Sequence, residues 1–197
     1  VVEADNLRVV EATPKGNDAI VKRVLRGQLD IPLDGQTPSA ESLGNAIRQT
    51  FKELKIKPGP VVMGIPRAQV ILRNLVLPAL PDLNELAQML HFQIGRELTF
   101  PMAEAVIDFK VIHELEERAK AEPPSGEETD TVKKLEVLVA TARHESIDYY
   151  QHVAEFAGLK LIGLGWLPYS TARCAEIANI SERAHNVAII SLRPSEV

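Results

Sequence analysis

Three side chains between Arg143 and Ala157 stand at a spacing that could do chemistry. His144, Asp148 and His152 fall at i, i+4 and i+8, within one face of a helix, and two imidazoles with a carboxylate are donor types that hold a divalent metal. Their neighbours Arg143, Glu145 and Gln151 give the same face the composition of a solvated surface, and nothing nearby supplies a clear further ligand. His91, His113 and His185 are scattered over a helix, a loop edge and a strand start, with no serine or cysteine motif beside them. Cys174, the single cysteine, lies among Ala172, Ala175 and Ile177 in a helical pattern and reads as a small buried thiol rather than a nucleophile. Gly163-x-Gly165 resembles part of a dinucleotide loop, yet it lacks a third glycine and runs into Trp166-Leu167-Pro168, so it reads as a turn.

The elements that would position these groups alternate between strands and helices. Val1 to Ala4 reads as a strand turning at Asp5-Asn6 into Leu7 to Ala12, and Ala19 to Leu29 continues with β-branched residues. Pro32, Asp34-Gly35 and Pro38 make an irregular crossing. A helix follows from Ser39, with Leu43, Ala46, Ile47, Thr50, Phe51 and Leu54 on one buried face, Thr37 or Ser39 as its cap, and Lys57-Pro58-Gly59 as its stop. Val61 to Ile65 and Gln69 to Leu77 read as two strands of one layered α/β sheet.

A second helix is expected after the cap Asp82 and Glu85, with Leu83, Leu86, Leu90, Ile94 and Leu98 in one stripe up to Pro101. Val106 to Ile112 and Leu135 to Thr141 form a hairpin, and a third helix, Glu145 to Ala157, turns Ile147, Tyr150, Val153, Ala154 and Ala157 inward and closes at Gly158. Leu159 to Leu164 is one more strand. Helix, two strands, helix and strand make a small α+β unit inserted within the larger sheet.

Composition bounds what this chain can do. Its 197 residues are 45% hydrophobic, 5% aromatic and 25% charged, with 11 Gly and 13 Pro, which is globular rather than disordered or low-complexity. No run of about 18 apolar residues exists to span a membrane, and the start does not resemble a secretion signal. The net charge is −5, and residues 113 to 130 alone hold seven acids against two bases, leaving the remainder neutral. A body without a basic stripe is a poor nucleic-acid partner. The acidic stretch, with Pro123-Pro124 and Ser125-Gly126, reads as a solvated hairpin loop over 113–131. One cysteine makes a reducing, cytoplasmic setting the default. The missing initiator Met, the opening strand and the strand-like Asn186 to Leu192 near the other end read as part of something longer.

Several blocks of the sequence resemble a family. VVMGIPRAQVILRNLVLPALP, the FPxxEAVxDF turn from Phe100 to Phe109, EFAGLK from Glu155 and P-x-S-x-A-R from Pro168 to Arg173 follow one another over roughly residues 60 to 175. In this order they resemble the pilus-assembly protein PilM and its relatives, including the cytoplasmic region of the secretion protein GspL. The resemblance implies an α/β, actin-like (ribonuclease H-like) fold. Residues 1–77 and 163–197 would build part of a first subdomain, and 78–162 the small inserted unit shared with the division protein FtsA. It also implies a cytoplasmic scaffold of a type IV pilus or type II secretion platform, held at the inner membrane through a PilN-like bitopic partner. The alternative is a nucleotide-dependent actin-like ATPase whose ATP loops lie largely outside this chain.

In the family, ATP is held by two loops built on Asp-x-Gly. The first would precede Val1, and at the second this chain has Ser191-Leu192-Arg193-Pro194, without the carboxylate that organises magnesium or the glycine that lets backbone approach a phosphate. No cofactor or metal is therefore expected in this chain. The partner's cytoplasmic segment would bind in a groove where the two subdomains meet, and the matching strand carries Ile71, Arg73, Leu75 and Leu77 on one side and Leu72, Asn74 and Val76 on the other. Both sides are largely apolar. Either one is open beside Arg73, ready to pair an acidic group on an extended peptide, or both are buried as in a central strand.

Overall fold

The computed structural model describes residues 2–3, 5–16, 18–32, 37–80, 82–118 and 131–177. In chain order its elements are β1 (Val2–Glu3), β2 (Asn6–Lys15), β3 (Asp18–Gln28), α1 (Ala40–Glu53), β4 (Pro60–Ile65), β5 (Ile71–Pro78), α2 (Leu83–Gly95), β6 (Ala105–Arg118), β7 (Thr131–Arg143), α3 (His144–Ala157), β8 (Lys160–Trp166) and α4 (Leu167–Ile177). They divide into two compact units: one takes the chain up to Arg67 and again from Ile147, and the other runs from Ala68 to Ser146.

In the first unit β1, β2 and β3 form an antiparallel sheet in that order, and β4 pairs in parallel with β8. Two helices gather its core. Ser39 caps α1 by accepting from the Ser42 N–H at 3.1 Å, and Leu43, Ala46, Ile47, Thr50 and Phe51 follow on its buried face. They pack with Leu7 of β2, Leu29, Ile56, Leu159 and the Val153, Ala154 and Ala157 face of α3. The helices meet closely at Gly44, where a Cβ would stand 2.7 Å from the Val153 carbonyl oxygen.

Both helices end in the same way. The Ile56 N–H donates to the Phe51 carbonyl at 2.8 Å and the Lys55 N–H to Lys52 at 3.1 Å, while Leu159 and Gly158 donate to Ala154 and Glu155, each at 2.9 Å. This double bond requires a left-handed residue, supplied by Gly158 at φ 70° in α3 and by Lys55 at φ 54° in α1. The stop of α1 is thus Lys55, ahead of the expected Lys57-Pro58-Gly59.

The second unit is an antiparallel sheet in the order β5-β7-β6 with α2 laid on one face. Asp82 caps α2 by accepting from the Asn84 N–H at 2.8 Å. Leu86, Leu90 and Ile94 are buried against Leu77, Leu135, Val137 and Val139 of the sheet, with Leu75, Ile107, Phe109 and Val111 half-buried around them. Opposed residues such as Leu75, Val137 and Val111 share one face, so the alternation of each strand builds one apolar layer.

Two expectations change here. β5 does not join β4. It pairs with β7, while β8 pairs with β4, and the compact units divide near 67 and 146, whereas the resemblance implied divisions at 77 and 162. The strands also reach further into the acidic stretch: β6 and β7 stay in register to Arg118 opposite Thr131, with Glu116 opposite Lys133 and Leu115 opposite Lys134. The backbone ladder thus continues where a loop over 113–131 was expected. Residues 119–130 lie outside the described residues, as do Ser191 to Pro194 and the strand expected over 186–192.

Candidate partner-binding surface

β5 owes its form to a run of branched apolar residues, interrupted by Arg73 and Asn74. Among the described residues it has one strand neighbour, β7, in a register that runs from Ile71 opposite Thr141 to Pro78 opposite Lys134. It is therefore an edge of the described sheet, and every second residue turns its N–H and C=O away from β7.

The face carrying Ile71, Arg73, Leu75 and Leu77 is the one beneath α2. Leu77 is 2% exposed and belongs to the core, Leu75 and Ile71 are half-buried, and Arg73 is exposed at the rim. The Arg73 guanidinium donates from Nε to Glu97 at 2.7 Å and from Nη1 to the Leu72 carbonyl at 2.9 Å. Glu97 follows the last turn of α2, so this pair ties the end of the helix to the strand and sets a cation beside the helix C-terminus, where the backbone dipole favours it. An acidic ligand at Arg73 meets a guanidinium already positioned by Glu97. Both partners are roughly half exposed, which leaves the pair open to exchange.

The reverse face of β5 carries Leu72, Asn74 and Val76, with Val76 53% exposed and Asn74 donating to Glu136 at 3.5 Å. Thus the four residues singled out from sequence do stand together, but on the covered side, with only Arg73 fully at the surface. The edge position of β5 was not foreseen, although two polar residues in mid-strand are the signal of a half-solvated one. Another exposed feature is Phe92 on α2, 67% exposed, with the Arg96 guanidinium 4.6 Å from its ring centre. Its i, i+4 spacing from Arg96 is legible in sequence.

The other candidate chemistry is not assembled. His144, Asp148 and His152 are all exposed, and among the described residues no group of three or more His, Cys, Asp or Glu stands ready to hold a metal. Cys174 is exposed, not buried: Ser170, Thr171 and Arg173 around it on α4 are exposed as well. Gly163 and Gly165 lie in strand β8 rather than in a turn. Gly165 stands opposite Gly64, and a Cβ on Gly64 would stand 2.8 Å from Leu167 Cγ, so the bare backbone there makes room for the first turn of α4. No helix among the described residues is long and apolar enough to cross a membrane.

Titration is perturbed in few places. Burial pushes the Tyr150 hydroxyl up to about 12, with the neighbouring Tyr149 adding to it, and burial raises Tyr149 too. Tyr149 donates to the Pro38 carbonyl at 2.9 Å, which fits a structural phenol rather than a proton carrier.

Comparison with known proteins adds to this geometry. The family model described as type IV pilus assembly protein PilM matches residues 4–191. A chain of the solved PilM-PilN type IV pilus biogenesis complex is 25% identical and superposes with a TM-score of 0.68, over 92% of this chain and 50% of that one. The cytoplasmic domain of EpsL, an inner membrane component of the type II secretion system of Vibrio cholerae, is 12% identical with a TM-score of 0.40, over 82% of this chain and 52% of its own. No curated protein matches. The chain spans about half the length of these solved relatives.

Proposed function

Because the chain belongs to the type IV pilus assembly protein PilM family, we propose that it is a docking scaffold that takes the cytoplasmic segment of a PilN-like inner-membrane protein along β5. Its α/β fold is the actin-like one of that family, with a small α+β unit inserted in the first subdomain. The observation that carries the reading is the likeness to a chain from a PilM-PilN complex over nearly all of this sequence.

The chemistry of β5 supports the same reading. An extended segment that adds to the strand edge satisfies the outward backbone groups, while Ile71 and Leu75 offer half-buried apolar contact and Arg73 meets a carboxylate. Leu77 acts through the core, holding the strand against α2. None of these steps uses a metal or a nucleotide. Docking a tail through a scaffold is binding work, and it places the chain at the inner membrane through its partner.

The test is capture of the partner's cytoplasmic peptide by the chain and by Arg73→Ala. The exposed ion pair is worth at most about 1 kcal/mol, so the variant folds with a nearly unchanged melt. Capture is expected to fall sharply. Undiminished capture by a folded Arg73→Ala would overturn the placement on β5.

A further inference from the structure

A second open strand, on the other unit, has a different character. Among the described residues β3 pairs only with β2, and its far side is an edge of the described sheet over its whole length. The base of this ribbon is anchored: Leu7 is in the core, Val9 and Leu25 pack on it, and Gly27 lies so close to Thr50 of α1 that a Cβ there would stand 3.2 Å from Leu54 Cδ1 even apart from that contact. From Val10 and Val24 outward, past the ion pair of Glu11 with Arg23, the support stops. Val10, Ile20, Val21 and Val24 are each more than half exposed, and Ala12, Pro14 and Ala19 are exposed too.

The register gathers all of these but Ile20 on one face: Val10 stands opposite Val24, Ala12 opposite Val21 and Pro14 opposite Ala19, while Ile20 pairs with Thr13 on the other. A two-stranded ribbon solvated on both faces gains little by itself, and a long apolar edge is a template for another strand. Charge decides what kind. β2 and β3 carry Arg8, Lys15, Lys22, Arg23 and Arg26 against Glu11 and Asp18, a balance of +3 within a chain of net −5. Arg8 and Arg26 face one another in the register. A second copy pairing antiparallel about the middle of β3 would set Lys22 of each copy opposite Arg23 of the other, which like-charge repulsion disfavours.

We propose that β3 is a docking edge for an extended segment of another protein in which apolar residues alternate with Asp or Glu. The apolar side chains continue the face of Val10, Val21 and Val24, and the carboxylates meet Arg23 on the opposite face and Lys22 beside it at the bulge. This surface lies in a different unit from β5 and does not depend on the reading given for it.

The experiment uses the whole chain and two fluorescent peptides of about ten residues, the length of a long strand, one alternating valine with glutamate and the other valine with lysine. Fluorescence anisotropy is expected to show the acidic peptide binding and the basic one not. Lys22→Glu with Arg23→Glu, both exposed, should weaken the acidic peptide by about tenfold or more and admit the basic one. Hydrogen exchange on the unaltered chain gives a readout that needs no variant: the acidic peptide should slow the amides of Ile20 to Arg26 and leave Ile71 to Pro78 unchanged. Equal binding of both peptides, no binding of the acidic one, or protection on β5 in place of β3 would each overturn the proposal. So would sedimentation of the chain as a dimer that Val24→Lys dissociates, since the edge would then serve a second copy.

Discussion

Among the described residues β5 and β3 are both edge strands rich in branched apolar residues, yet one is a held rim and the other a half-free ribbon. Beneath β5 lies α2, and Leu77 at 2% exposure is locked between the helix and β7. Among the described residues no comparable layer lies beneath the outer half of β3, where Ile20 and Val21 are more than half exposed, and Val24 at its start is 68% exposed. The pairing geometry is the same in kind; the layer below differs. A strand edge becomes a preorganised docking rim when a third element immobilises its buried face, and otherwise gains its order only from the partner it binds.

The sharpest test of that contrast is truncation on each strand. Leu77→Ala should cost about 2–5 kcal/mol by chemical denaturation, as for other fully buried leucines. Val24→Ala, on the solvated ribbon, should stay within about 0.5 kcal/mol. Equal losses at the two positions would show that the outer half of β3 is covered after all.

A smaller effect is expected where β3 is anchored. Gly27→Ala forces a methyl group against Thr50 and Leu54, and overpacking of this kind costs about 1–3 kcal/mol. Denaturation midpoints should fall for Gly27→Ala. A neutral result would mean that the base of the ribbon is as loose as its tip.

The helix supporting that base can be strengthened in turn. Lys55 holds the left-handed position that Gly158 fills in α3, so Lys55→Gly should stabilise the chain by up to about 1 kcal/mol, relieving a strain of about that size. Calorimetry should show a rise in Tm. If the comparison holds, hydrogen exchange at Leu25 and Gly27 slows while exchange at Ile20 and Val21 does not.

The smallest effect lies in the Glu11–Arg23 pair at the boundary of support. The hydrogen bond from Arg23 holds the Glu11 carboxyl below the usual glutamate range. A lowered folded pKa means that this contribution is present above the ordinary glutamate pKa and is lost as pH falls through the lowered value. NMR titration should find Glu11 protonating below a free glutamate and returning to the ordinary range in Arg23→Gln. Identical titration in both proteins would mean that the pair does not persist in solution and that the ribbon loosens lower down.

Much of the molecule was legible in the sequence where the information is local. The stripe Leu43, Ala46, Ile47, Thr50 and Phe51, the stripe Leu86, Leu90 and Ile94, the caps Ser39 and Asp82 and the stop at Gly158 all lie within a few residues of the bonds they make. Lys55 escaped notice because left-handed backbone is ordinarily marked by glycine. The candidate surface was half legible. Ile71, Arg73, Leu75 and Leu77 share a face, as period-two alternation requires.

Which face is covered, and which strand stands beside which, only the tertiary structure decided. β5 pairs with β7 and β4 with β8, each across a long intervening stretch of chain, and a strand's backbone bonds carry no local signal of their partner. Alternation separates two faces without saying which will meet a helix, and so the face with Arg73 could be read from sequence as open or buried alike. The exposure of Cys174 and the place of Gly163 and Gly165 within β8 were settled in the same way, by what packs nearby. Helix positions follow from bonds between near neighbours in the chain, whereas sheet partners and covered faces follow from bonds that close only when distant segments meet.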